Sequence, residues 1–179
     1  FDNLNKDDFF YGTFQSYKYF DEFREDILKS FTFNEYLLSF ATKTIENQIK
    51  SCNSVSIHVR RGDYMTPYFY KNFGSVCDVD YYKRAICELE KKVNNVKYFV
   101  FSDDIDNVRN ELNLKDATYI DFNKYNDSWQ DMYLMSKCKH NIIANSSFSF
   151  WAAYLNQNPN KIVIAPKVWM SSLSKDEIA

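Results

Sequence analysis

Glycine and proline are scarce in this sequence, and long hydrophobic runs are missing from it. Of its 179 residues, three are glycine and three are proline. Three scattered glycines cannot build a glycine-rich phosphate loop or the dinucleotide-binding fingerprint, which need several glycines within a few positions. No run approaches the roughly 20 apolar residues of a membrane-spanning helix, and we expect no signal peptide. The sequence therefore excludes the commonest nucleotide-binding motifs.

Net charge and cysteine are also low. The formal net charge is -2, so no global positive field attracts nucleic acid, and we expect no nucleic-acid partner. An anionic ligand needs a local basic site instead. Cys52, Cys77, Cys87 and Cys138 are too widely spaced for the close pairs of a zinc site. We expect reduced, partly buried thiols in a reducing compartment.

Apolar residues are plentiful and set the domain organisation. They make up 45% of the chain, and aromatic residues make up 18%, which is enough for one domain with a core. Residues 1–53 are rich in Phe and Tyr and show helical spacing in places, for example at Ile27 and Phe31. We interpret this stretch as a linker and helices that lead into a ligand-binding domain over residues 54–179.

Short β-branched runs alternate with amphipathic segments from residue 54 onwards. The predicted strands are 54–59, 96–101, 117–120, 141–144 and 161–165. The predicted helices are 79–93, 105–112, 129–138 and 148–155. This alternation predicts an α/β fold with a Rossmann-like parallel sheet covered on both faces, and the near-continuous apolar strands fit burial on both sides.

Polar side chains follow every predicted strand. Ligands of an open parallel sheet bind beyond the carboxyl ends of its strands, so we expect the site along that edge. The strands are followed, in order, by Arg60, Arg61 and Asp63; by Ser102, Asp103 and Asp104; by Asp121; by Asn145, Ser146 and Ser147; and by Pro166 and Lys167.

Arg60 and Arg61 are the candidates for gripping phosphate, because a guanidinium is always charged and its fork matches two phosphate oxygens. If the strand persists, the two side chains point apart. One would then grip phosphate, and the other would pair with Asp63 or pack underneath. His58 lies inside the strand, and we expect it to position a nucleotide rather than to act as a general base. A surface pair of arginine and aspartate is the alternative.

Carboxylates follow the second and third strands. Helix capping is the better explanation for Asp104, whereas Asp103 fits capping or ligand contact. Asp121 could accept two N–H bonds from a guanine edge, or cap a turn. No further carboxylates converge in a pattern that suits a metal, so we expect none.

The stretch Asn145, Ser146 and Ser147 precedes a predicted helix. Hydroxyls and free backbone N–H groups at a helix N-terminus suit an anionic phosphate. Helix capping is the alternative, and both can hold together. From its position alone, Phe148 is more simply explained as part of the core.

Five stretches, in order, resemble the α-1,2-fucosyltransferases of glycosyltransferase family 11. They are 12–20 (GTFQSYKYF), 58–64 (HVRRGDY), 101–104 (FSDD), 142–155 (IIANSSFSFWAAYL) and 161–169 (KIVIAPKVW). The second fits the family's H-x-R-R-x-D motif. Protein O-fucosyltransferases and α-1,6-fucosyltransferases share the arginine motif, but the Trp-Ala-Ala-Tyr-Leu segment favours the α-1,2 group.

The resemblance implies the C-terminal, donor-binding half of a GT-B glycosyltransferase. It implies inverting transfer of L-fucose from GDP-β-L-fucose to a galactose-terminated glycan, with no metal or other cofactor. It places Arg60 on the donor phosphates, His58 and Asp121 near guanine or ribose, and residues 146–148 around the diphosphate. Arg60 would stabilise charge on the departing GDP. Asp63 is the candidate base, and holding the arginines in place is its alternative role.

Together the residues and the resemblance predict one site. The predicted catalytic residues are Asp63 and Arg60. The predicted donor-binding residues are His58, Arg60, Arg61, Ser102, Asp103, Asp121, Asn145, Ser146, Ser147 and Phe148.

One departure from the family pattern affects these expectations. Family members usually open with a glycine-rich Gly-Gly-Leu-Gly-Asn-Gln segment inside an N-terminal domain, and this sequence has none. We therefore expect a fragment without the acceptor-side domain, and a GDP-sugar-binding module without turnover is the alternative. A sulfotransferase is disfavoured because the phosphate loop after the first strand is absent. The expected location is the cytoplasm, with peripheral membrane association left open, or the Golgi in a eukaryote.

Overall fold

Five short apolar segments form the strands of a parallel sheet. In the computed structural model, which describes residues 16–171, they are β1 (Asn53–Val59), β2 (Val96–Ser102), β3 (Thr118–Ile120), β4 (His140–Ile142) and β5 (Val163–Ile164). The strand order is β3-β2-β1-β4-β5, and each neighbouring pair is parallel. This confirms the predicted α/β class, and each predicted strand overlaps an observed one. The order is that of a Rossmann-type sheet. Successive strands are added on one side of β1 up to β3, and β4 and β5 are then added on its other side.

Helices cover both faces of this sheet. Within the described residues they are α1 (Arg24–Ser30), α2 (Phe40–Lys50), α3 (Pro67–Phe69), α4 (Val79–Glu90), α5 (Ile105–Leu112), α6 (Trp129–Lys137) and α7 (Ser147–Leu155). The four helices predicted after residue 54 are present, although α4 ends three residues earlier than its periodicity indicated. The helical segment that α3 opens, continued by a π-helical stretch at Tyr70–Gly74, was not predicted.

Of the three predicted N-caps discussed next, one makes a capping hydrogen bond with its side chain and two do not. The Asp78 carboxylate accepts the backbone N–H of Tyr81 at 2.7 Å, so Asp78 is the N-cap of α4. Ser128 and Ser146 occupy the cap positions of α6 and α7, but their hydroxyls make no capping hydrogen bond. Side-chain capping by Ser146, the alternative to a ligand role at the start of α7, is therefore not observed.

The two faces of the sheet have separate cores. Val55, Ile57 and Val59 alternate along β1 and point to a core shared with α4 and α5. Phe99 and Phe101 of β2 point the other way, to a core shared with α2, α6 and α7. Because successive strand residues face opposite sides, each strand contributes to both cores, and the side chains just past its end follow the same alternation.

The segment before β1 packs on the second core. The Ser39 backbone N–H donates to Gln130 Oε1 at 2.9 Å, and the Tyr133 hydroxyl donates to Glu46 Oε1 at 2.8 Å. These bonds join α2 to α6. The domain boundary at residue 53 stays a prediction. The resembling stretch 12–20 begins outside the described residues.

The sequence predicted reduced, partly buried cysteines and no membrane-spanning helix. Cys52, Cys77, Cys87 and Cys138 are all free thiols, and Cys77 and Cys138 are buried. Burial raises the pKa of Cys77 to about 11. Across residues 16–171, no helix combines the length and the apolar character that crossing a membrane requires.

Candidate functional site

A cavity of about 590 Å³ opens at the carboxyl ends of β1, β2 and β3. This is the edge at which a parallel sheet is expected to hold a ligand. Its lining comes from three strand ends and from the first turns of α5, α6 and α7. The lining residues are His58, Arg60, Phe101, Ser102, Asp103, Asp104, Ile105, Asp106, Ile120, Asp121, Asn123, Lys124, Tyr125, Ser128, Asp131 and Phe148.

The predicted donor residues divide into two groups around this cavity. Six of them line it: His58, Arg60, Ser102, Asp103, Asp121 and Phe148. The others lie outside its lining: Arg61, Asn145, Ser146 and Ser147, together with the candidate base Asp63. The sequence therefore located the cavity, but the structure does not bring every predicted side chain into it.

Arg60 lies at the cavity wall between two carboxylates. Its Nη2 lies 2.6 Å from Asp63 Oδ1, and its Nη1 lies 2.8 Å from Asp103 Oδ2. The guanidinium also lies 5.5 Å from the centre of the Tyr64 ring. A third of the arginine side chain stays exposed. The side chain is thus held in place before any ligand arrives, and an incoming anion has to share it with the two carboxylates.

Asp103 fixes the turn that carries the arginines. Its Oδ1 accepts the backbone N–H of Arg61 at 2.8 Å while its Oδ2 binds Arg60. Gly62 follows with φ at +34°, and a Cβ added there would collide with the Asp103 carboxylate. The turn therefore needs glycine for both its conformation and its close approach.

The neighbouring acid, Asp104, does not behave as predicted. It occupies the cap position of α5 without a capping hydrogen bond from its side chain. Its carboxylate accepts from Asn107 Nδ2 at 2.8 Å instead. The Ser102 hydroxyl accepts the Asp104 backbone N–H at 3.0 Å, so Ser102 stabilises the turn that Asp104 was expected to cap.

Arg61 points to the opposite face of the sheet. Its Nη2 lies 2.6 Å from Glu111 Oε2, and its Nη1 donates to the Cys77 carbonyl at 3.3 Å. Only 5% of the residue is exposed. Adjacent side chains at a strand end cannot face the same way, so the structure places Arg61 under the sheet. It is Arg60, and not Arg61, that pairs with Asp63.

His58 is buried on the cavity side. Its ring centre lies 5.6 Å from that of Phe148, and its Nδ1 is the buried side-chain atom that finds no hydrogen-bond partner within residues 16–171. Burial, with a smaller contribution from the Arg60 charge, lowers the pKa of His58 to about 3. A neutral imidazole with an unsatisfied nitrogen suits positioning of a ligand.

Asn145 is engaged with the backbone rather than with the cavity. Its Nδ2 donates to the carbonyls of Phe73 and Trp169 at 3.1 and 3.0 Å, and its own carbonyl accepts from the Tyr64 hydroxyl at 3.0 Å. Ser146 is buried beside it, whereas Ser147 is exposed. Asn145 thus joins backbone segments outside the cavity lining, and the two serines do not line the cavity either.

The family comparison agrees with this geometry. The profile of glycosyl transferase family 11 matches residues 2–178. The chain belongs to glycosyl transferase family 11. The predicted resemblance is confirmed over almost the whole sequence.

Curated relatives of this family 11 chain carry several names. The O-antigen biosynthesis glycosyltransferase WbnK of Escherichia coli is 37% identical over 94% of this chain and 57% of its own length. An alpha-1,2-colitosyltransferase of Escherichia coli is 37% identical over 89% of this chain and 55% of its own. The human galactoside alpha-(1,2)-fucosyltransferase 1 is 27% identical over 78% and 40%. The chain thus spans about half the length of the relatives it matches.

Two solved structures are also similar to the family 11 chain. POFUT1 in complex with GDP-fucose has a TM-score of 0.45 and 13% identity, over 71% of this chain and 46% of that one. The fucosyltransferase NodZ from Bradyrhizobium has a TM-score of 0.40 and 17% identity, over 80% and 59%.

Sequence reasoning missed two acidic residues of the cavity, the exposed Asp106 and the partly buried Asp131. Asp131 lies in the first turn of α6, and burial raises its pKa to about 7 against the hydrogen bond from Asn123, which lowers it. A signal for it was present in the sequence, because Asp131 shares a helical stripe with the buried residues Leu134, Met135 and Cys138. A carboxylate at a core position of an amphipathic helix points to a special role. In residues 16–171 no group of three or more His, Cys, Asp or Glu is arranged to hold a metal.

Proposed function

We propose that the cavity binds GDP-β-L-fucose and that the chain is the donor-binding part of an inverting fucosyltransferase. The observation that carries the proposal is the placement of Arg60 in one cavity with His58 and Asp121. A nucleoside diphosphate fits such a site because it offers two phosphates to a guanidinium and a base to the carboxylates. Membership of family 11 supports the same chemistry.

Arg60 is the proposed grip on the diphosphate. When the sugar leaves, negative charge grows on the β-phosphate, and a pre-positioned guanidinium stabilises that charge without reorganising. Asp63 and Asp103 hold the guanidinium at 2.6 and 2.8 Å before the ligand binds. The reaction needs no metal in this proposal, because arginine supplies the positive charge.

An acceptor hydroxyl would attack from the side opposite GDP, which inverts the anomeric centre. Asp63 is our candidate base. Half of its side chain is exposed while one oxygen binds Arg60, which leaves the other oxygen open to an acceptor proton. Holding Arg60 in place remains the alternative role of Asp63, and the ion pair at 2.6 Å favours it.

The sugar and the acceptor are proposals drawn from the relatives. We propose L-fucose transferred in an α-1,2 linkage to galactose of a surface glycan, by an enzyme that works in the cytoplasm at the membrane face. The relative named alpha-1,2-colitosyltransferase makes colitose the competing donor sugar. Another fucosyltransferase, α-1,6 or protein O-linked, is the further alternative within the same chemistry.

A binding module without turnover is the second candidate. The chain spans only 57% and 55% of the length of two relatives, so an acceptor side supplied by further residues would be needed for transfer. Binding of GDP by this domain and transfer by an intact protein are therefore separate questions, and each needs its own experiment.

Calorimetric titration with GDP tests the donor site. We expect Arg60→Ala to weaken GDP binding about 10- to 100-fold, the usual range for losing hydrogen bonds to a charged partner. Arg84→Ala removes an exposed arginine of α4 on the other face and should leave the affinity unchanged. Equal affinities for wild type and Arg60→Ala would refute the assignment of the cavity.

Product analysis tests the transfer. The intact protein is incubated with a galactose-terminated acceptor and either GDP-fucose or a GDP-activated colitose, with and without EDTA. We expect fucosylated product in both conditions, bearing an α-1,2 bond. Colitosylated product alone would change the donor, EDTA inhibition would contradict the metal-free proposal, and binding without any product would favour the module.

A further inference from the structure

A row of aromatic rings runs from Arg60 to the protein surface. The Arg60 guanidinium lies 5.5 Å from the centre of the Tyr64 ring, and the ring centres of Tyr64 and Phe73 lie 5.2 Å apart. The ring centre of Phe69 lies 6.0 Å from that of Phe73 and 4.8 Å from that of Tyr68, both edge to face. These are the distances of direct ring contacts. We call the four residues, Tyr64, Phe73, Phe69 and Tyr68, the aromatic row.

The outer end of the aromatic row is exposed. Tyr68 is 82% exposed and Phe69 is 36% exposed, and the neighbouring Met65 and Tyr70 are 44% and 48% exposed. No member of the row belongs to the cavity lining. Proteins rarely leave several large apolar side chains exposed side by side unless the patch binds something. The outer end of the row is therefore a candidate binding surface outside the donor cavity.

The backbone of the aromatic row is fixed by contacts from other segments. Asn145 binds the row twice, because its Nδ2 donates to the Phe73 carbonyl at 3.1 Å and its own carbonyl accepts from the Tyr64 hydroxyl at 3.0 Å. Gly74 packs so closely that an added Cβ would collide with the Tyr64 carbonyl. A surface that is already held in place loses little conformational entropy when a ligand binds to it.

The exposed end of the row lies close to the candidate base. Asp63 and Tyr68 are five positions apart, which span at most about 18 Å in a fully extended chain. The segment is folded instead, since the Asp63 carbonyl accepts the backbone N–H of Thr66 at 3.1 Å and its hydroxyl at 2.7 Å. The Thr66 carbonyl in turn accepts the backbone N–H of Phe69 at 3.1 Å. Two consecutive turns thus join Asp63 to the row, and a short oligosaccharide can reach both.

The chemistry of this surface fits a sugar ring. The face of an aromatic ring is electron-rich and attracts the weakly positive C–H groups of a pyranose. Galactose presents the C–H groups of C3, C4 and C5 on one face, because its 4-hydroxyl is axial and points to the other face. The hydroxyl of Tyr68 can donate a hydrogen bond to a sugar hydroxyl or accept one from it. No member of the row is charged, so the row suits a neutral sugar better than an anionic nucleotide.

We propose that Tyr68, supported by Phe69, binds the acceptor by stacking on the face of its galactose ring, beside Asp63. The inference rests on the proposed transfer to a galactose-terminated glycan. It places the acceptor on the Asp63 side of Arg60 and the donor on the cavity side. This chain then contributes one wall of the acceptor site, together with the further residues that transfer requires.

Acceptor kinetics of the intact protein test the proposal. Lactose is the acceptor probe, and the donor is the GDP-sugar that product analysis selects. Hydrolysis of that donor without lactose is the readout that does not depend on the acceptor. We expect Tyr68→Ala to raise the KM for lactose about 3- to 10-fold, the scale of one lost aromatic contact, and to leave hydrolysis and GDP affinity unchanged. Tyr68→Phe keeps the ring and should stay closer to the wild type.

Phe23→Ala is the matched control. Phe23 is 56% exposed, and the adjacent Arg24 donates to the carbonyl of Tyr154 at the C-terminal end of α7. Because α7 begins at the carboxyl edge of the sheet and ends away from it, this control removes an exposed aromatic ring far from Asp63. We expect it to keep the KM for lactose of the wild type.

The outcomes separate this inference from the proposed function. A wild type that transfers to no galactoside removes both. A wild type that transfers, together with an unchanged KM for lactose in Tyr68→Ala, overturns only the role of Tyr68. Equal losses of hydrolysis and transfer also overturn it, because Tyr68 would then serve the donor or the fold. A lower melting temperature of the intact Tyr68→Ala protein would show that other protein residues cover the row, which contradicts a glycan-binding surface.

Discussion

Arg60 and Arg61 are neighbours in the chain, yet they lie on opposite faces of the sheet. Arg60 is one-third exposed at the cavity, where Asp63 and Asp103 bind it. Arg61 is 5% exposed beneath the sheet, where Glu111 binds it. The two arginines of the motif therefore differ in place: Arg60 lines the cavity, whereas Arg61 is part of a buried ion pair. Substitution of each should have a different effect.

The largest effect should come from Arg61. Arg61→Ala leaves Glu111 and the Cys77 carbonyl without their donor, and breaking a largely buried ion pair costs about 3 kcal/mol of the free energy of unfolding. GDP affinity of the folded protein should stay unchanged. Urea unfolding measures the first and calorimetry the second.

Arg60→Ala is the matched variant for that experiment. It removes exposed ion pairs, which contribute about 0–1 kcal/mol to stability, so its loss should appear in ligand binding instead. A stable Arg61→Ala, or a strongly destabilised Arg60→Ala, would break the comparison.

The next effect concerns Asp131 and pH. Burial raises its pKa to about 7 in the folded protein, above the ordinary value near 3.9 in the unfolded chain. The folded state then holds the proton more tightly, so stability falls as pH rises from about 4 to about 7. Asp131→Asn should remove that fall. The full difference between the two pKa values corresponds to roughly 4 kcal/mol, and because Asp131 is only partly buried we expect the variant to be more stable than the wild type by about half of that, roughly 2 kcal/mol, at pH 8.

Thermal unfolding of both proteins at pH 5 and pH 8 measures this effect. Asp106→Asn should keep the pH dependence of the wild type. Identical pH profiles for wild type and Asp131→Asn would show that the carboxyl is not held near neutrality. The expected pH dependence would sharpen the comparison, because it would show that Asp131 lowers the stability of the fold above neutral pH whereas Arg61 raises it.

The smallest effect should come from Gly62, which lies between the two regions. Gly62→Ala places a Cβ against the Asp103 carboxylate at a positive φ, and such strain costs about 1–3 kcal/mol. Part of the strain is relieved if Asp103 moves. We expect a fall in melting temperature together with a several-fold loss of GDP affinity, since Asp103 holds Arg60. A loss of stability with unchanged GDP affinity would show that the conformation of this turn does not affect how Arg60 binds GDP.

The sequence predicted the sheet well, because alternation of apolar runs determines an α/β fold almost by itself. It also predicted that polar side chains gather at the strand ends, and six of the ten donor candidates line the cavity. Their roles toward a ligand stay predictions.

The remaining candidates show what local pattern cannot supply. The sequence left open which arginine pairs with Asp63 and which packs underneath. In the structure Arg60 pairs with Asp63 and Arg61 with Glu111, because the direction of each side chain depends on how the strand ends. Asn145 was placed by hydrogen bonds to Phe73 and Trp169, which lie far away in the sequence. Asp131 escapes such prediction because the signals that mark the ends of a helix say nothing about an acid on its core-facing stripe.

The amide of Asn145 also bears on the order in which the protein folds. It joins carbonyls that are 72 and 24 residues away along the chain. Closing such long loops costs entropy before any bond forms. Pairing of β1 with β4 brings Ile57 beside Ile142, which leaves only a short stretch of chain between that pair and each of Phe73 and Asn145. We therefore expect the bond between Asn145 and Phe73 to form after β1 and β4 have paired. The contacts that Asn145 makes with the segments around these two carbonyls would then be among the last in the domain to form during folding.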